Sequence, residues 1–206
     1  TTKNYNKKLK KNKISKNWLK KRNRDYFFIN SKIQGYRSRS AYKLIEMDNK
    51  FKFLKKNSFL LDLGSSPGGW SQVAIRKIKK GRILAVDIKP MDKIDNVDFL
   101  KGNFYDPKIC SKIKDYFNNR VDIILSDMAA NTTGNKNLDT YRTGELCLKT
   151  IDLAEKILHQ GGVLIFKVLM GSIFTEINKR VNKCFKKVVI YKPLSSKKES
   201  KEIYIY

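Results

Sequence analysis

A glycine-rich loop is the first feature of this sequence whose residue types and spacing could support chemistry. Gly64, Gly68 and Gly69 follow the apolar run SFLLDLG, and a helix is predicted after them. Glycine adopts positive φ angles and lets a ligand approach the backbone, and the first N–H groups of a helix attract anions. The spacing is Gly-x-x-x-Gly-Gly, which disfavours a dinucleotide cofactor such as NAD. A plain tight turn would need similar glycines. The loop alone therefore leaves open whether it binds a ligand or only turns the chain.

Polar residues follow the next three apolar runs along the chain, and they favour the nucleotide interpretation. Asp87 ends the run RILAVD. In nucleotide-binding α/β folds an acidic residue about 20 residues after the glycine loop binds the ribose hydroxyls, and Asp87 lies close to that spacing. Asn103 follows VDFLKG and could contact an adenine edge, and Asp127 ends VDIILSD. The carboxyl ends of parallel strands share one edge of a sheet, which is where such folds bind ligands. We therefore predict a nucleotide-like ligand at this edge.

A lysine inside an apolar run is the strongest single candidate for catalysis. Lys167 interrupts GVLIFKVL, and a lysine in a buried strand is rare unless it is paired or functional. The sequence has one histidine, His159, which we predict to cap the helix before this run, so the base is not imidazole. A lysine has an ordinary pKa of about 10.4 and becomes a base when burial or a nearby cation lowers it.

The elements that must position these residues are short apolar runs alternating with segments able to form helices. This alternation is typical of βαβ units and of a parallel sheet covered on both faces. The last two runs, KKVVIY and EIYIY, are joined without a helix, which predicts an antiparallel C-terminal hairpin. We predict one doubly wound, Rossmann-like α/β domain with a mostly parallel seven-stranded sheet. Two basic helices are predicted before it, at 16–34 and at 38–54 with Ser38 as N-cap.

The charge balance indicates a polyanionic partner. The 206 residues contain 45 Lys and Arg against 19 Asp and Glu, a net charge of +26, and residues 1–24 hold eleven basic residues and no acid. Basic proteins bind nucleic acid by displacing its counterions. Compositional bias toward lysine, or part of an organellar transit peptide, would also give a basic N-terminus.

The composition also excludes several classes of site. One histidine and three widely spaced cysteines, without a Cys-x-x-Cys pair, disfavour a zinc site and predict that no metal is bound. The same cysteine pattern favours a reducing intracellular compartment over a disulfide framework. No apolar run approaches the roughly 18 residues of a membrane helix, so we predict no membrane association.

Seven strings of the sequence, in order, match one known family. They are GYRSRSAYKL, DLGSSPGGWSQVA, VDIKPMD, VDFLKGNF, SDMAANTTGN, LIFKVLMG and SSKKESKEIY, and the resemblance covers about residues 18 to 206. On these strings the chain resembles the FtsJ/RrmJ-type ribose 2′-O-methyltransferases, which use S-adenosylmethionine (SAM). The resemblance implies a SAM-dependent methyltransferase domain at 35–206, preceded by a basic N-terminal arm and helix at 1–34.

The resemblance also implies a set of site residues. The implied catalytic tetrad is Lys43, Asp127, Lys167 and Glu202. Our hypothesis is that Lys167 is the general base or the final positioning group for the 2′-hydroxyl. Lys43 and Glu202 would orient Lys167 and the ribose, and Asp127 would balance charge near the methyl group. The implied SAM contacts are Gly64, Gly68, Trp70, Asp87, Asn103 and Asp127.

Three of the matched positions have a second explanation or differ from the usual family residue. Trp70 is equally well explained as a core residue of its helix. The family usually has Asp in place of Asn103 and Pro in place of Ala130. Asn103 can still accept a hydrogen bond from an adenine amino group, and Ala130 bears on the shape of the loop after Asp127.

We predict that RNA binds to a basic surface around the catalytic residues. Basic side chains contact phosphates, and aromatic side chains such as Trp18, Tyr26 and Tyr36 stack on unpaired bases. The predicted RNA contacts are Arg22, Arg24, Arg37, Arg39, Lys197, Lys198 and Lys201.

Methyl transfer to the ribose 2′-hydroxyl of large-subunit ribosomal RNA, by a monomer, is the favoured function. A tRNA 2′-O-methyltransferase of the same family is the first alternative, and a non-catalytic RNA-binding ribosome assembly factor is the second. A nicotinamide-dependent oxidoreductase is disfavoured by the missing Gly-x-Gly-x-x-Gly. We expect an organelle, mitochondrion or plastid, if the source is eukaryotic, and the cytoplasm if it is bacterial.

Overall fold

A seven-stranded sheet forms the centre of the protein in a computed structural model, which describes residues 25–197 and 199–206. The strands are β1 (Phe59–Leu63), β2 (Arg82–Asp87), β3 (Asp98–Lys101), β4 (Val121–Ser126), β5 (Leu158–Leu169), β6 (Ile190–Tyr191) and β7 (Glu202–Ile205). Their spatial order is β3-β2-β1-β4-β5-β7-β6. The first five are parallel, and β7 runs antiparallel between β5 and β6. The predicted fold class and terminal hairpin are confirmed.

Six helices of the described residues cover the sheet. They are α1 (Tyr26–Ile33), α2 (Ala41–Phe51), α3 (Gly69–Lys77), α4 (Pro107–Phe117), α5 (Lys136–Ile157) and α6 (Phe174–Cys184). Side chains of α4, α5 and α6 share one buried cluster with one face of the sheet, and those of α2 and α3 share another with the opposite face. Because side chains alternate across a strand, each central strand contributes to both cores.

Two helix boundaries differ from those predicted from the sequence. His159 lies in β5, not at a helix C-terminus, because α5 ends at Ile157 and the chain passes directly into the strand with an irregularity in its pairing to β4. The helix predicted at 38–54 begins at Ala41, and Ser38 does not cap it: its hydroxyl contacts that of Ser40 at 2.6 Å. Residues 16–24 of the first predicted helix lie outside the described residues.

The strand order reverses between β1 and β4, because β2 lies on one side of β1 and β4 lies on the other. The chain leaves these strands in opposite directions, and a cleft opens between the two connections at the carboxyl edge. The glycine loop follows β1, Asp87 is the last residue of β2, and Asp127 directly follows β4. The fold therefore gathers the predicted polar residues at this edge.

A buried carboxyl group in β1 should make stability depend on pH. Asp62 is 1% exposed and accepts a hydrogen bond of 2.6 Å from the Ser71 hydroxyl on α3. Burial, with Asp127 and Asp87 nearby, raises the pKa of Asp62 to about 7. The native state therefore holds a proton that the unfolded chain releases near pH 4, and stability falls as the pH rises from about 4 to about 7.

The variant Asp62→Asn should remove this dependence. We expect the difference in unfolding free energy, variant minus wild type, to move in favour of the variant by about 2–3 kcal/mol between pH 4 and pH 7 and then level off. Urea unfolding of both proteins across this range measures it. Parallel curves for the two proteins would contradict the assignment.

Candidate active site

The alternation of side chains along β5 and β7 places three polar groups on one face of the sheet. Lys167 lies directly opposite Tyr204 in the antiparallel pair, and Glu202 lies two residues before Tyr204. Tyr204 belongs to the core cluster formed with α2 and α3, so all three side chains point toward the face that α2 covers. Lys43, in the first turn of α2, faces them. These elements bring together residues that lie far apart in the sequence.

Two ion pairs form at this place. Lys43 Nζ lies 2.7 Å from Glu202 Oε1, and Lys167 Nζ lies 3.1 Å from Asp127 Oδ1. Lys167 Nζ also donates a 2.6 Å hydrogen bond to the main-chain oxygen of Asp127. The side chains of both lysines are 11% exposed, and those of Glu202 and Asp127 are 12% and 18% exposed. The set of two cations and two anions is neutral, which limits the cost of burying its charges.

Tyr204 connects the two ion pairs, and sequence analysis missed it. Its hydroxyl donates a 2.7 Å hydrogen bond to Asp127 Oδ1, and its ring lies 5.7 Å from Lys43 Nζ. Burial and the neighbouring carboxylates raise the pKa of Tyr204 well above its ordinary value, so the phenol stays protonated and remains a donor. The available signal was its position in the strand, because a residue two places after Glu202 must lie on the same face.

Asp127 is held in its ionised form. Burial alone would raise the pKa of its carboxyl group, but attraction to Lys167 and Lys43 and the hydrogen bond from Tyr204 lower that pKa below its ordinary value. A permanent negative charge therefore lies at the carboxyl edge of β4, within reach of both lysines.

A cavity of about 250 Å³ adjoins Asp127 at the same edge. Of the predicted donor contacts, Gly64, Asp87, Asn103 and Asp127 line it. The Asp87 carboxylate accepts hydrogen bonds from the main-chain N–H groups of Ser66 (2.9 Å) and Lys89 (2.8 Å), one on each oxygen. Each oxygen retains a lone pair for a ribose hydroxyl.

The cavity lining fits an adenosyl group. Phe104, Met128 and Leu146 supply apolar surface for an adenine ring, next to the polar groups of Asp87 and Asn103. Asp127, which lines the cavity and pairs with Lys167, offers a negative charge to a cationic centre. An apolar pocket with a few converging polar groups is the usual form of a cofactor site.

The side chain of Trp70 and the residue Gly68 lie outside this lining. Trp70 is 2% exposed, and its indole N–H donates a 2.8 Å hydrogen bond to the main-chain oxygen of Ser40. Gly68 has φ = 108° and precedes α3, where a Cβ would lie 2.9 Å from a guanidinium nitrogen of Arg37. Of the two explanations for Trp70, its side chain fits the core of α3 better, and Gly68 shapes the loop.

Arg37 has a different set of partners from the one we predicted. Its guanidinium donates to the main-chain oxygens of Pro67 (3.2 Å), Asp92 (2.7 Å) and Lys93 (2.8 Å). Pro67 lies in the glycine loop, and Asp92 and Lys93 lie in the loop after Asp87. Arg37 thus joins the two loops beside the cavity, and its contacts favour a role on the donor side over an RNA contact.

Substitution of Arg37 should weaken binding of the methyl donor. We expect Arg37→Ala to raise the SAM Kd about tenfold, because loss of charge-assisted hydrogen bonds loosens both loops. Arg37→Lys keeps the charge but lacks the planar fork of two nitrogens that reaches the three carbonyl groups, so it should resemble Arg37→Ala. Calorimetric titration with SAM and filter binding with RNA measure the two affinities. Normal SAM affinity together with RNA binding restored by lysine would instead support the RNA contact.

The other predicted RNA contacts are only partly described. Arg39 forms an ion pair with Asp25 and donates a 2.6 Å hydrogen bond to the main-chain oxygen of Ser195. Lys197 and Lys201 are exposed on the segment between β6 and β7. Arg22, Arg24, Lys198 and the aromatic Trp18 lie outside the described residues.

Of the remaining aromatic candidates, Tyr26 is 69% exposed but Tyr36 is buried and packs in the core, so Tyr36 cannot stack on RNA.

A larger cavity, about 700 Å³, lies at the opposite edge of the sheet. Its lining in the described part of the chain comes from β5, the ends of α5 and α6, the segment after α6 and the last two residues of the chain. It contains no predicted site residue. Among the described residues, no group of three His, Cys, Asp or Glu could hold a metal ion. No helix within 25–197 and 199–206 is long and apolar enough to cross a membrane.

A model of the FtsJ-like methyltransferase family matches residues 36–206. The chain belongs to this family. The ribosomal RNA large subunit methyltransferase E of Pelagibacter ubique is 47% identical over 197 residues, which is 96% of this chain and 97% of that protein. The protein of the same name from Legionella pneumophila (strain Lens) is 40% identical over 199 residues, with 96% and 97% covered.

A solved structure agrees with the sequence comparisons. A ribosomal RNA methyltransferase from Plasmodium falciparum matches with a TM-score of 0.74 and 38% identity, over 82% of this chain and 96% of that one. As a member of the family, this protein is a methyltransferase with a Rossmann-like fold, and SAM is its methyl donor. The predicted family, fold and cofactor are confirmed.

Proposed function

We propose that this methyltransferase transfers a methyl group from SAM to a ribose 2′-hydroxyl of RNA, with large-subunit ribosomal RNA as the substrate. The observation that carries the proposal is the pair of nearly buried ion pairs, Lys43–Glu202 and Lys167–Asp127, beside the donor cavity. The substrate class is supported by the names of the relatives, which are ribosomal RNA methyltransferases from bacteria and from Plasmodium.

Transfer to a 2′-hydroxyl requires the residues of this chain to hold or remove a proton. SAM, when bound, supplies a methyl group activated by a sulfonium. Lys167 is the nitrogen best placed to position the hydroxyl, since it is fixed by both the side chain and the main-chain oxygen of Asp127. To act as the base it must first release one proton to solvent; the neutral amine then takes the hydroxyl proton as the new C–O bond forms and the methyl–sulfur bond breaks. Lys43, paired with Glu202, orients the ribose from the α2 side, and Asp127 keeps negative charge next to the donor.

The charge distribution supports RNA as the acceptor. Lys197 and Lys201 are exposed on the segment that leads into Glu202, and we propose that residues 1–34 add a basic arm to the methyltransferase domain at 35–206. Positive charge beside a catalytic site holds phosphates and makes affinity fall with salt. We also propose that one chain acts alone, because Lys43, Asp127, Lys167 and Glu202 converge within a single chain.

Nucleoside analysis of methylated RNA tests the proposal. The purified protein is incubated with labelled SAM and total RNA from cells depleted of this protein, and each RNA species is separated and digested. We expect the label in one 2′-O-methylnucleoside of large-subunit ribosomal RNA. Label on a base would reject ribose as the acceptor, label in tRNA would support the tRNA branch of the family, and SAM binding without transfer would favour an assembly factor.

A further inference from the structure

The carboxylate of Glu46 accepts four hydrogen bonds from one segment of the chain. Oε1 accepts from the Tyr191 hydroxyl (2.5 Å) and the Leu194 N–H (2.7 Å). Oε2 accepts from the N–H and the hydroxyl of Ser195, both at 3.1 Å. Glu46 lies on α2, nearly one turn after Lys43, and its donors lie about 145 to 149 residues further along the chain. It is not among the residues that line the donor cavity.

Three of these four donors lie in the β6–β7 loop, residues 192–201, and the fourth is on Tyr191, the last residue of β6. The loop leads directly into the active site at Glu202. Ser196 of the loop donates a 2.8 Å hydrogen bond to Glu202 Oε1, the same oxygen that pairs with Lys43. Arg39, also on the α2 side, donates to the main-chain oxygen of Ser195. Three side chains from the α2 side therefore hold this region: Arg39 and Glu46 contact the loop, and Lys43 contacts Glu202, the residue after it.

Polar contacts, rather than hydrophobic packing, fix the outer part of this loop. Its largest apolar side chain, Leu194, is 87% exposed. The Leu194 and Ser195 N–H groups both point to the Glu46 carboxylate, and hydrogen bonds to a charged acceptor are the stronger kind. A conformation held by one carboxylate is sensitive to the loss of that carboxylate.

We propose that Glu46 is a positioning residue for the RNA: it holds the β6–β7 loop so that Lys197 and Lys201 face the substrate and Glu202 meets Lys43. This inference rests on the proposed function and extends it to a residue that does not touch the reacting groups. Glu46 does not line the donor cavity, so we expect the main effect on RNA binding and not on SAM binding.

The variant Glu46→Gln tests the proposal with little change in shape. A carboxamide has one acceptor oxygen, so the two donors on the other side lose their partner and face an NH₂ group. We expect faster hydrogen exchange at the Leu194 and Ser195 amides, a KM and a Kd for RNA raised at least about tenfold, and an unchanged Kd for SAM. The matched control is Glu145→Gln, the same change at an exposed carboxylate of α5.

Two outcomes would overturn the proposal. The first is loss of amide protection with RNA KM and Kd equal to those of Glu145→Gln, and the second is amide protection that survives in Glu46→Gln. If Glu46→Gln does not fold, Tyr191→Phe removes a single donor and should raise the RNA Kd by a smaller factor, whereas an unchanged Kd would reject the proposal. RNA affinity and amide exchange are measured without turnover. They therefore test the positioning role of Glu46 even if the methylated position proves not to be a ribose.

Discussion

Replacement of Lys167 by alanine is expected to lower kcat for methyl transfer by about 10³-fold or more, with little change in SAM affinity. The ammonium of Lys167 is fixed between two oxygens of Asp127 at the carboxyl edge, whereas its side chain does not line the donor cavity. The loss should therefore appear in the transfer step. Transfer of labelled methyl groups to RNA and calorimetric titration with SAM measure the two quantities separately.

Two further variants sharpen this test. Lys167→Arg keeps a positive charge and can still hold a hydroxyl, but a guanidinium cannot release its proton to act as a base. Activity close to wild type in Lys167→Arg would indicate positioning, and activity as low as in Lys167→Ala would indicate proton transfer. Lys156→Ala, at an exposed lysine in the last turn of α5, is the control. Methylation by Lys167→Ala at the wild-type rate would contradict the assignment.

Asp127→Asn is expected to damage both halves of the site at once. The variant leaves Lys167 without its charge partner and removes the negative charge from the donor cavity. We expect transfer to fall by about 10²-fold or more and the SAM Kd to rise, in contrast to Lys167→Ala. Removing one partner of this nearly buried pair should also cost about 2–3 kcal/mol of unfolding free energy, somewhat less than for a fully buried pair.

The pH dependence of that stability loss identifies its cause. The pKa of Asp127 is lowered in the native state, so its stabilising contribution is present above its ordinary pKa near 4 and disappears as the pH falls through the lower native value. The part of the difference between wild type and Asp127→Asn that comes from the ion pair should thus shrink as the pH falls below 4. Asp115→Asn, at an exposed carboxylate of α4, is the control, and a difference that persists in acid would contradict the ion-pair explanation.

The positions of residues along strands could be predicted from the sequence, because the apolar runs are short and punctuated by glycine and acidic residues. Lys167 stood out for this reason, and so did the carboxylates that follow β2 and β4. The partners of charged side chains between distant loops could not be predicted. A run of basic residues looks the same whether its guanidinium groups face solvent or, like that of Arg37, bind three main-chain oxygens.

The environments of Trp70 and Glu46 could not be predicted from the sequence either. An aromatic residue after a glycine loop can face a ligand or the core, and only the packing of α3 against α2 decides which. The sequence around Glu46 does not indicate its role, because its four donors lie 145 to 149 residues further along the chain. Long-range contacts of this kind are set by topology, which periodicity does not encode.

The contacts between the α2 side and the β6–β7 loop also bear on how the protein acquires activity during folding. They join residues separated by 145 to 159 positions, since Arg39, Lys43 and Glu46 precede β1 whereas their partners lie between Tyr191 and Glu202. Closing a loop of this length is entropically costly and belongs to the slow part of folding. In a refolding experiment, methyl transfer should therefore recover after the sheet has formed, so enzyme activity reports completion of the fold where secondary structure does not.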